Sequence, residues 1–289
     1  MSEAMFKGCV DQTEVELFNM DCVKGMTDHV GDGSVDVVVT SPPYNIGTRY
    51  KGYDDTVARE KYLSWTADWT AQVKRVLADE GSFFLNIAGK PSDPSLPFQV
   101  VPIVTEEFVL QNVIHWVKSI AIDKKDVGSY PGIECDVAVG HYKPINSSRF
   151  VNCVQEYVFH LTKTGEVPLD RLAIGVPYQD AANARRWASG GAGLRCRGNV
   201  WFIPYKTVMQ QKPHPAAFPL ELPIKCIKLH GLERCNCVLD PLAGVGTTVV
   251  AATKLGVKRA YGFDIENDYL DHAWRWMNGN EQCTDEKAS

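Results

Sequence analysis

The sequence lacks the cysteine spacing of a zinc site. Nine cysteines occur in 289 residues, no two of them form a Cys-x-x-Cys pair, and the nearest two are Cys235 and Cys237. Closely paired cysteines are typical of structural zinc sites, so we expect no metal. The number of cysteines is odd, which favours free thiols in a reducing compartment over disulfides.

Long apolar runs are also missing. No stretch approaches the roughly 18 residues that a membrane-spanning helix needs. The opening residues, MSEAMFKGCV, contain no apolar signal-peptide segment. We therefore expect a cytoplasmic protein without a membrane partner. Because 45% of the residues are hydrophobic, the chain can bury a sizeable core, and we expect an α/β domain with an inserted region.

Positive charge is scarce overall but concentrated in one part of the chain. The net charge is -5, yet residues 141–212 contain ten Lys and Arg against four Asp and Glu. Such a local excess is what phosphate contacts need, although a solvated basic face is the commoner meaning of a charge run alone. The glycine-rich stretch RRWASGGAGLRCRGN contributes four candidate nucleic-acid contacts: Arg185, Arg186, Arg195 and Arg197.

Hydrophobic periodicity predicts a parallel sheet covered by helices. The predicted strands are residues 15–18, 35–40, 82–87, 112–118, 156–162, 236–240 and 259–264. Between the second and third strands, Tyr62, Trp65 and Trp69 recur at helical spacing. This pattern predicts an amphipathic helix that stops at Gly81 and packs its tryptophans in the core. Alternating strands and helices are typical of an α/β fold.

One candidate site follows the second predicted strand, where VDVVVT runs into Ser41, Pro42, Pro43 and Tyr44. A β-branched strand without alternation is typical of the inside of a parallel sheet, and sites form where such strands end. Pro43 has no N–H group, so the Pro42 carbonyl is held without a competing neighbouring donor. Taken alone, this turn could equally be a polyproline segment.

A second candidate site follows the strand CVLD. Its residues are Asp240, Pro241, Gly244, Gly246 and Thr247. Glycines here let backbone amides and a helix N-terminus approach a polar ligand, unless the turn needs them only for sterics. Thr247 either contacts the ligand or caps the helix. About twenty residues further on, a strand ends at Asp264, where nucleotide-binding sheets hold ribose hydroxyls; we expect Glu266 to be a helix-entry acid.

Together, TSPPY, DPLAGVGTT and GFD resemble the motifs of amino-directed DNA methyltransferases that use S-adenosylmethionine. TSPPY comes first, as in the circularly permuted β group of that family. The resemblance implies a Rossmann-like methyltransferase sheet, circularly permuted, with an inserted target-recognition region. It implies a catalytic domain of residues 1–122 and 200–289, and a recognition region of about 123–199 that is interleaved with the core strand 156–162. Leu242 departs from the family's commoner phenylalanine, which affects one packing contact with the cofactor.

The resemblance also assigns residues to roles. It implies that S-adenosyl-L-methionine is bound by the following residues: Asp21, Asp240, Pro241, Gly244, Gly246, Thr247, Asp264 and Phe218. Asp21 lies in NMDCVKGM, and Phe218 lies in HPAAFPLELPIKCIKLHG, which resembles the helix that closes over the methionine end. The catalytic turn would be Ser41, Pro42, Pro43 and Tyr44. In the family, the serine form of this turn is associated mainly with cytosine N4 and the aspartate form with adenine N6.

We therefore predict a sequence-specific methyltransferase that acts on the N4 amine of a flipped cytosine in double-stranded DNA. Adenine N6 is the alternative, because adenine N1 neighbours its amine as cytosine N3 does. An RNA methyltransferase and a catalytically silent homologue are weaker alternatives. A restriction endonuclease is a candidate partner, and the residues leave open whether the protein is a monomer or a homodimer.

Overall fold

A computed structural model describes residues 4–140, 145–180, 193–204 and 215–279. In these ranges the strands are β1 (Phe6–Val10), β2 (Thr13–Asn19), β3 (Val35–Thr40), β4 (Leu77–Ile87), β5 (Val109–Val117), β6 (Ser119–Ile122), β7 (Val137–Gly140), β8 (Gln155–Thr162), β9 (Val176–Pro177), β10 (Leu194–Arg195), β11 (Val200–Phe202), β12 (Cys237–Asp240) and β13 (Arg259–Asp264). The helices are α1 (Cys22–His29), α2 (Arg59–Val76), α3 (Leu96–Val104), α4 (Lys124–Val127), α5 (Glu221–His230), α6 (Thr247–Lys254) and α7 (Asn267–Met277).

The central feature is a mixed sheet in the order β1-β2-β13-β12-β3-β4-β8-β5-β11. Its middle strands, from β2 to β4, run parallel, and β11 is parallel to β5. Strand β8 is antiparallel to both β4 and β5. The fold is thus the predicted Rossmann-like α/β sheet, but the prediction of a parallel sheet is wrong for β8, which is antiparallel to both of its neighbours.

The sheet interleaves the two ends of the chain. Strands β12 and β13, from the C-terminal part, lie between β2 and β3, from the N-terminal part. Val38 pairs with Leu239 although about 200 residues separate them in sequence. Because neighbouring parallel strands end at the same edge, the turn after β3 and the turn after β12 lie side by side.

Both faces of the sheet are buried. On β3, Val37 and Val39 pack into the core beneath α5, α6 and α7. Val38 points the other way, into the core beneath α1, α2 and α3. All three valines are fully buried, which explains why these three positions are consecutively apolar rather than alternating. The two cores hold the ends of the central strands in fixed positions.

Several local predictions need correction. Helix α2 ends at Val76, and β4 begins at Leu77, five residues earlier than expected. Gly81 does not stop the helix; it lies within β4, where an added Cβ would approach the Leu77 side chain to 2.7 Å. The hairpin strand β1 and helix α3 were not predicted. Trp69 is in the core as expected, whereas Trp65 is only partly buried.

The region around residues 123–199 contributes little to the central sheet in its described parts. Strands β6 and β7 pair in one small sheet, and β9 and β10 pair in another. In the described residues, β8 is the strand of this region that joins the central sheet. No helix in the described ranges is long and apolar enough to cross a membrane.

Candidate active site

A cavity of about 710 Å³ lies at the shared edge where β3, β4, β12 and β13 end. It is within the range of small-molecule sites. Residues from both predicted motifs line it, including Asp21, Ser41, Pro42, Pro43, Tyr44, Phe218, Pro241 and Asp264. The two motifs therefore open into one space, with the proline turn on one side and the acids at the ends of β2 and β13 on the other.

The two strand ends are tied together by a buried hydrogen bond. Thr40 Oγ1, at the end of β3, donates to Asp240 Oδ1, at the end of β12, over 2.7 Å. The same oxygen accepts from the backbone N–H of Leu242 at 3.1 Å. Burial raises the pKa of Asp240 to about 6, partly opposed by these hydrogen bonds. Asp240 does not line the cavity. Its position suits holding the cavity wall, whereas the sequence predicted that it would contact the cofactor.

Asp264 joins the two turns that carry the cofactor motif. Its Oδ2 accepts from the backbone N–H of Gly244 and its Oδ1 from that of Glu266, each at 2.8 Å. Burial raises the pKa of this carboxyl above its ordinary value. Asp264 faces the cavity and each oxygen retains a lone pair, so it can still accept from a ribose hydroxyl. Glu266 also lines the cavity as well as preceding α7.

The two glycines of the turn have different surroundings. Gly244, with φ 51°, lines a smaller cavity of about 20 Å³ together with Ser41, Phe218 and Thr247. Gly246 has φ 76°, and an added Cβ would lie 2.5 Å from the Cβ of Ala273 on α7. Gly246 lines neither cavity, and its surroundings require glycine for helix packing.

Thr247 does not cap α6 through its side chain. Helix α6 begins at Thr247 itself, and Gly246 occupies the N-cap position. Asp21, by contrast, caps α1, because its Oδ1 accepts from the backbone N–H of Lys24 at 3.1 Å. Asp21 remains exposed and lines the main cavity beside Met20 and Cys22.

An aromatic wall that the sequence did not predict closes one side of the cavity. Tyr50, Tyr53 and Trp65 line it, with the Tyr53 and Trp65 ring centroids 5.8 Å apart. These tyrosines belong to the loop that follows the proline turn. The available signal was the position of Tyr50 and Tyr53 soon after that turn in the sequence. Helical periodicity assigned Trp65 to the core.

Buried Asp55 fixes the loop behind this wall. Its carboxylate accepts four consecutive backbone N–H groups, from Asn45, Ile46, Gly47 and Thr48, at 2.7, 3.1, 3.1 and 2.8 Å. The side chain is 2% exposed. A carboxylate in this position satisfies amides that the turn would otherwise leave without partners. No motif or periodicity in the sequence indicated this role for Asp55.

A polar cluster surrounds the hydroxyls of the proline turn. Ser41 Oγ lies 2.9 Å from Tyr44 Oη, and Tyr44 Oη lies 2.9 Å from Glu156 Oε2. Asn86 and Lys118 complete the cluster and, like Glu156, line the cavity. Burial, and next the nearby charge of Glu156, hold the pKa of Tyr44 well above its ordinary value. None of these three additional residues was predicted.

The predicted nucleic-acid contacts are only partly visible. Arg195 is exposed on β10, and Arg197 is half-buried with its Nε donating to the Ile174 carbonyl at 3.0 Å. Neither lines the cavity. Arg185 and Arg186 lie outside the described residues. In the described part of the chain, no group of His, Cys, Asp and Glu could hold a metal ion.

Comparison with known proteins agrees with this geometry. A sequence model of the family described as DNA methylase, which covers N6 and N4 methyltransferases, matches residues 35–275. The chain belongs to the DNA methylase family. The match spans both motifs and the region between them.

Individual relatives extend the comparison. Type II methyltransferase M.BglII of Bacillus subtilis is 29% identical over 282 residues, which cover 91% of this chain and 69% of that protein. DNA adenine methyltransferase YhdJ of Escherichia coli (strain K12) is 26% identical over 249 residues, covering 85% and 76%. The solved structure of PvuII DNA methyltransferase, described as cytosine-N4-specific, has a TM-score of 0.63 at 19% identity and covers 96% of this chain and 92% of that one.

The cofactor of this DNA methylase is S-adenosyl-L-methionine, the methyl donor of its family. Solved structures of the same fold contain it. The cavity fits such a ligand, since it combines carboxylates suited to ribose hydroxyls with an apolar and aromatic lining. Asp21, Asp264, Glu266 and Phe218 would hold it. The roles of the individual predicted site residues remain predictions.

Proposed function

We propose that this protein methylates the N4 amine of cytosine in double-stranded DNA at a specific sequence. The observation that carries the proposal is the placement of Ser41 and Pro42 in the lining of the cavity that Asp264 and Phe218 also line. When bound, S-adenosyl-L-methionine supplies a methyl group activated by its sulfonium. The protein's task is then to present a base amine to that methyl group in a reactive form.

Two acceptors in the proline turn suit this task. An exocyclic amine is a weak nucleophile because its lone pair is delocalised into the ring. Ser41 Oγ and the Pro42 carbonyl can each accept one amine hydrogen, which favours a pyramidal nitrogen with its lone pair free. Pro43 lacks an N–H, so the turn keeps this carbonyl aimed without a nearby competing donor. Such fixed acceptors act mainly by positioning and electrostatic stabilisation.

The target base must leave the DNA double helix to reach this turn. A base inside a duplex cannot approach the cavity floor, so we infer that the target nucleotide flips out, at a cost of a few kcal/mol. The ring of Tyr44 lines the cavity next to Ser41 and offers a stacking surface. Its hydroxyl is held by Glu156 and Asn86, which fixes the plane against which a base could stack.

Cytosine N4 is the favoured target because serine occupies the first position of the turn. In the family that this turn resembles, the serine form is associated mainly with cytosine N4 and the aspartate form with adenine N6. Adenine N6 remains the second candidate: adenine N1 neighbours its amine as cytosine N3 does, and the relative YhdJ is an adenine methyltransferase. The name of the PvuII relative, cytosine-N4-specific, favours the first choice.

Sequence recognition would come from the segment of about 123–199, with residues 1–122 and 200–289 forming the catalytic domain. We propose that Arg195 and Arg197, together with Arg185 and Arg186, contact the DNA. Arginine most often grips phosphate and can also read guanine bidentately. The name of M.BglII as a type II methyltransferase supports a cognate endonuclease as a partner, and the protein would act in the cytoplasm.

Nucleoside mass spectrometry tests the proposal. Purified protein is incubated with methyl-labelled S-adenosyl-L-methionine and mixed-sequence duplex DNA, and the DNA is digested to nucleosides. We expect label on N4-methylcytosine, and a loss of about 10²-fold or more in Ser41→Ala, the range for removing one preorganised hydrogen-bonding group. Ser64→Ala, on the exposed side of α2, is the matched control. Label on N6-methyladenine would overturn the base assignment, and the absence of any label on the DNA would overturn the choice of DNA as substrate.

A further inference from the structure

Glu156 is surrounded by hydrogen-bond donors. It lies at the start of β8, and its side chain is 13% exposed. Its Oε1 accepts from Lys118 Nζ at 2.9 Å. Its Oε2 accepts from Tyr44 Oη at 2.9 Å and from Asn86 Nδ2 at 2.7 Å. Three donors, one of them cationic, therefore face this carboxylate, and an ionised carboxylate only accepts hydrogen bonds.

This carboxylate determines the direction of the hydrogen bonds that lead to the cavity. Tyr44 has one hydroxyl proton, and Glu156 can only accept, so that proton lies between them. The 2.9 Å contact between Ser41 and Tyr44 must then use the Ser41 proton as the donor. With its only proton directed at Tyr44, Ser41 Oγ can present only lone pairs to a group in the cavity.

The orientation of Asn86 agrees with this direction. Its Nδ2 reaches Glu156 at 2.7 Å, Tyr44 Oη at 2.8 Å and, more weakly, Ser41 Oγ at 3.3 Å. Its Oδ1 is buried without a partner among the described residues. Turning the amide round would place that oxygen against the carboxylate of Glu156. In the observed orientation the Asn86 N–H groups face Glu156 and its neighbours. The amide oxygen is then left without a hydrogen-bond partner among the described residues, which is unfavourable.

We propose that Glu156 is the residue that makes Ser41 a hydrogen-bond acceptor and that takes up the proton released in methyl transfer. This inference rests on the proposed function, because it concerns how Ser41 serves an amine. Glu156 acts through Tyr44 and Ser41, so it is a positioning residue for the first task. Lys118 and Asn86 hold it in place for both.

The proton step balances along this path. When the amine nitrogen forms its bond to the methyl carbon, it becomes positively charged and must lose one proton, and the electron pair of that N–H bond stays on nitrogen. Ser41 Oγ takes the proton while its own proton passes to Tyr44 Oη, whose proton passes to Glu156 Oε2. Glu156 is left as a neutral acid beside cationic Lys118. The proton then passes on to water in the cavity, which returns Glu156 to the carboxylate for the next turnover.

Glu156→Gln tests the inference, because glutamine keeps the shape of the glutamate side chain and removes its charge. In either orientation its NH₂ group would face a donor, either Lys118 or the Tyr44 and Asn86 pair, and it cannot take the proton. In Glu156→Gln we expect the single-turnover rate of methyl transfer to fall about 10²-fold, as for loss of general base catalysis. The affinity for S-adenosyl-L-methionine should change less than about twofold, since binding and chemistry are separable in single-turnover kinetics.

Three further variants complete the design. Glu16→Gln is the matched control: Glu16 lies on strand β2, is 19% exposed and pairs with Lys7 at 3.0 Å, and it should retain the full rate. Ser41→Ala/Glu156→Gln should be no slower than Ser41→Ala, because Glu156 acts through Ser41. If Glu156→Gln does not fold, Glu156→Asp keeps the charge but draws the carboxylate back from Tyr44, and the same loss is expected.

Two results would overturn the inference: a Glu156→Gln rate within about threefold of wild type, or an equal further loss on the Ser41→Ala background, which signals independent effects. The ratio of variant to wild-type rate is scored separately from the methylated nucleoside. Label on adenine in place of cytosine would therefore reject the proposed base while leaving the test of Glu156 intact.

Discussion

Two buried histidines should make the stability of this protein sensitive to acid. His160 on β8 and His230 on α5 both contact Ser82 Oγ at 3.0 Å, through Nε2 and Nδ1 respectively. Asn112 Nδ2 lies 3.0 Å from His160 Nδ1. Because Asn112 Nδ2 is a donor, it opposes a second proton on that ring nitrogen. Burial lowers the pKa of His160 to about 3 and that of His230 to about 4.

The sign and size of the effect follow from these values. Both histidines have a folded pKa below the unfolded value of 6.5. The unfolded chain therefore binds protons first, and stability present at pH 7 is lost as the pH falls below about 6.5. A pH of 5 lies about 1.5 units below the unfolded pKa. At about 1.4 kcal/mol per unit, each histidine that stays neutral in the folded state lowers the free energy of unfolding by about 2 kcal/mol. The pair would lower the free energy of unfolding by up to about 4 kcal/mol.

Urea unfolding at pH 7 and pH 5, compared between wild type and His160→Gln, measures this contribution. We expect the loss of stability between the two pH values to be about 2 kcal/mol smaller in the variant, which cannot titrate at this position. Asp240 acts in the opposite direction, because a carboxyl with a pKa raised to about 6 stabilises the fold as the pH falls towards 5. That contribution is present in both proteins and cancels in the comparison. Identical pH dependence in the two proteins would refute the reasoning.

Two other substitutions test the scaffold of the site. Asp55→Ala would leave four amides without their acceptor and release the loop that carries Tyr50 and Tyr53. Titration calorimetry should show at least a tenfold weaker affinity for S-adenosyl-L-methionine, equivalent to about 1.4 kcal/mol, and unchanged affinity would contradict the role assigned to the loop. Gly246→Ala should lower the free energy of unfolding by about 2–4 kcal/mol, from left-handed strain plus overpacking against Ala273. Thermal unfolding checks this, and a variant as stable as wild type would show that the turn does not need glycine.

The polar cluster shows why part of the site could not be found in the sequence. Asn86, Lys118 and Glu156 lie on or next to three different strands, separated by about thirty to seventy residues. They meet because β8 lies between β4 and β5 in the sheet. Strand order is a property of the whole fold, and nothing local to these residues reveals it. Their neighbours in sequence are ordinary strand residues.

Asp240 and Gly246 illustrate a different limit. Both belong to a recognisable motif, and the motif predicted contact with the cofactor for each. In the structure Asp240 braces Thr40 behind the cavity wall, and Gly246 packs against Ala273. A motif identifies the turn correctly, but it does not specify which side of that turn each residue faces. That depends on the neighbouring helix and strand.

The sequence by itself determined most strands of the central sheet, the two turns and the family. These depend on residues close together in the chain, where backbone preference and apolar periodicity act directly. Only the tertiary structure decided that the two turns share one cavity, that Asp55 fixes the aromatic loop and that Glu156 lies behind Tyr44. Those contacts come from packing side chains on both faces of a sheet whose strand order interleaves the two ends of the chain. Because that order joins residues far apart in sequence, only the folded chain shows which polar groups meet.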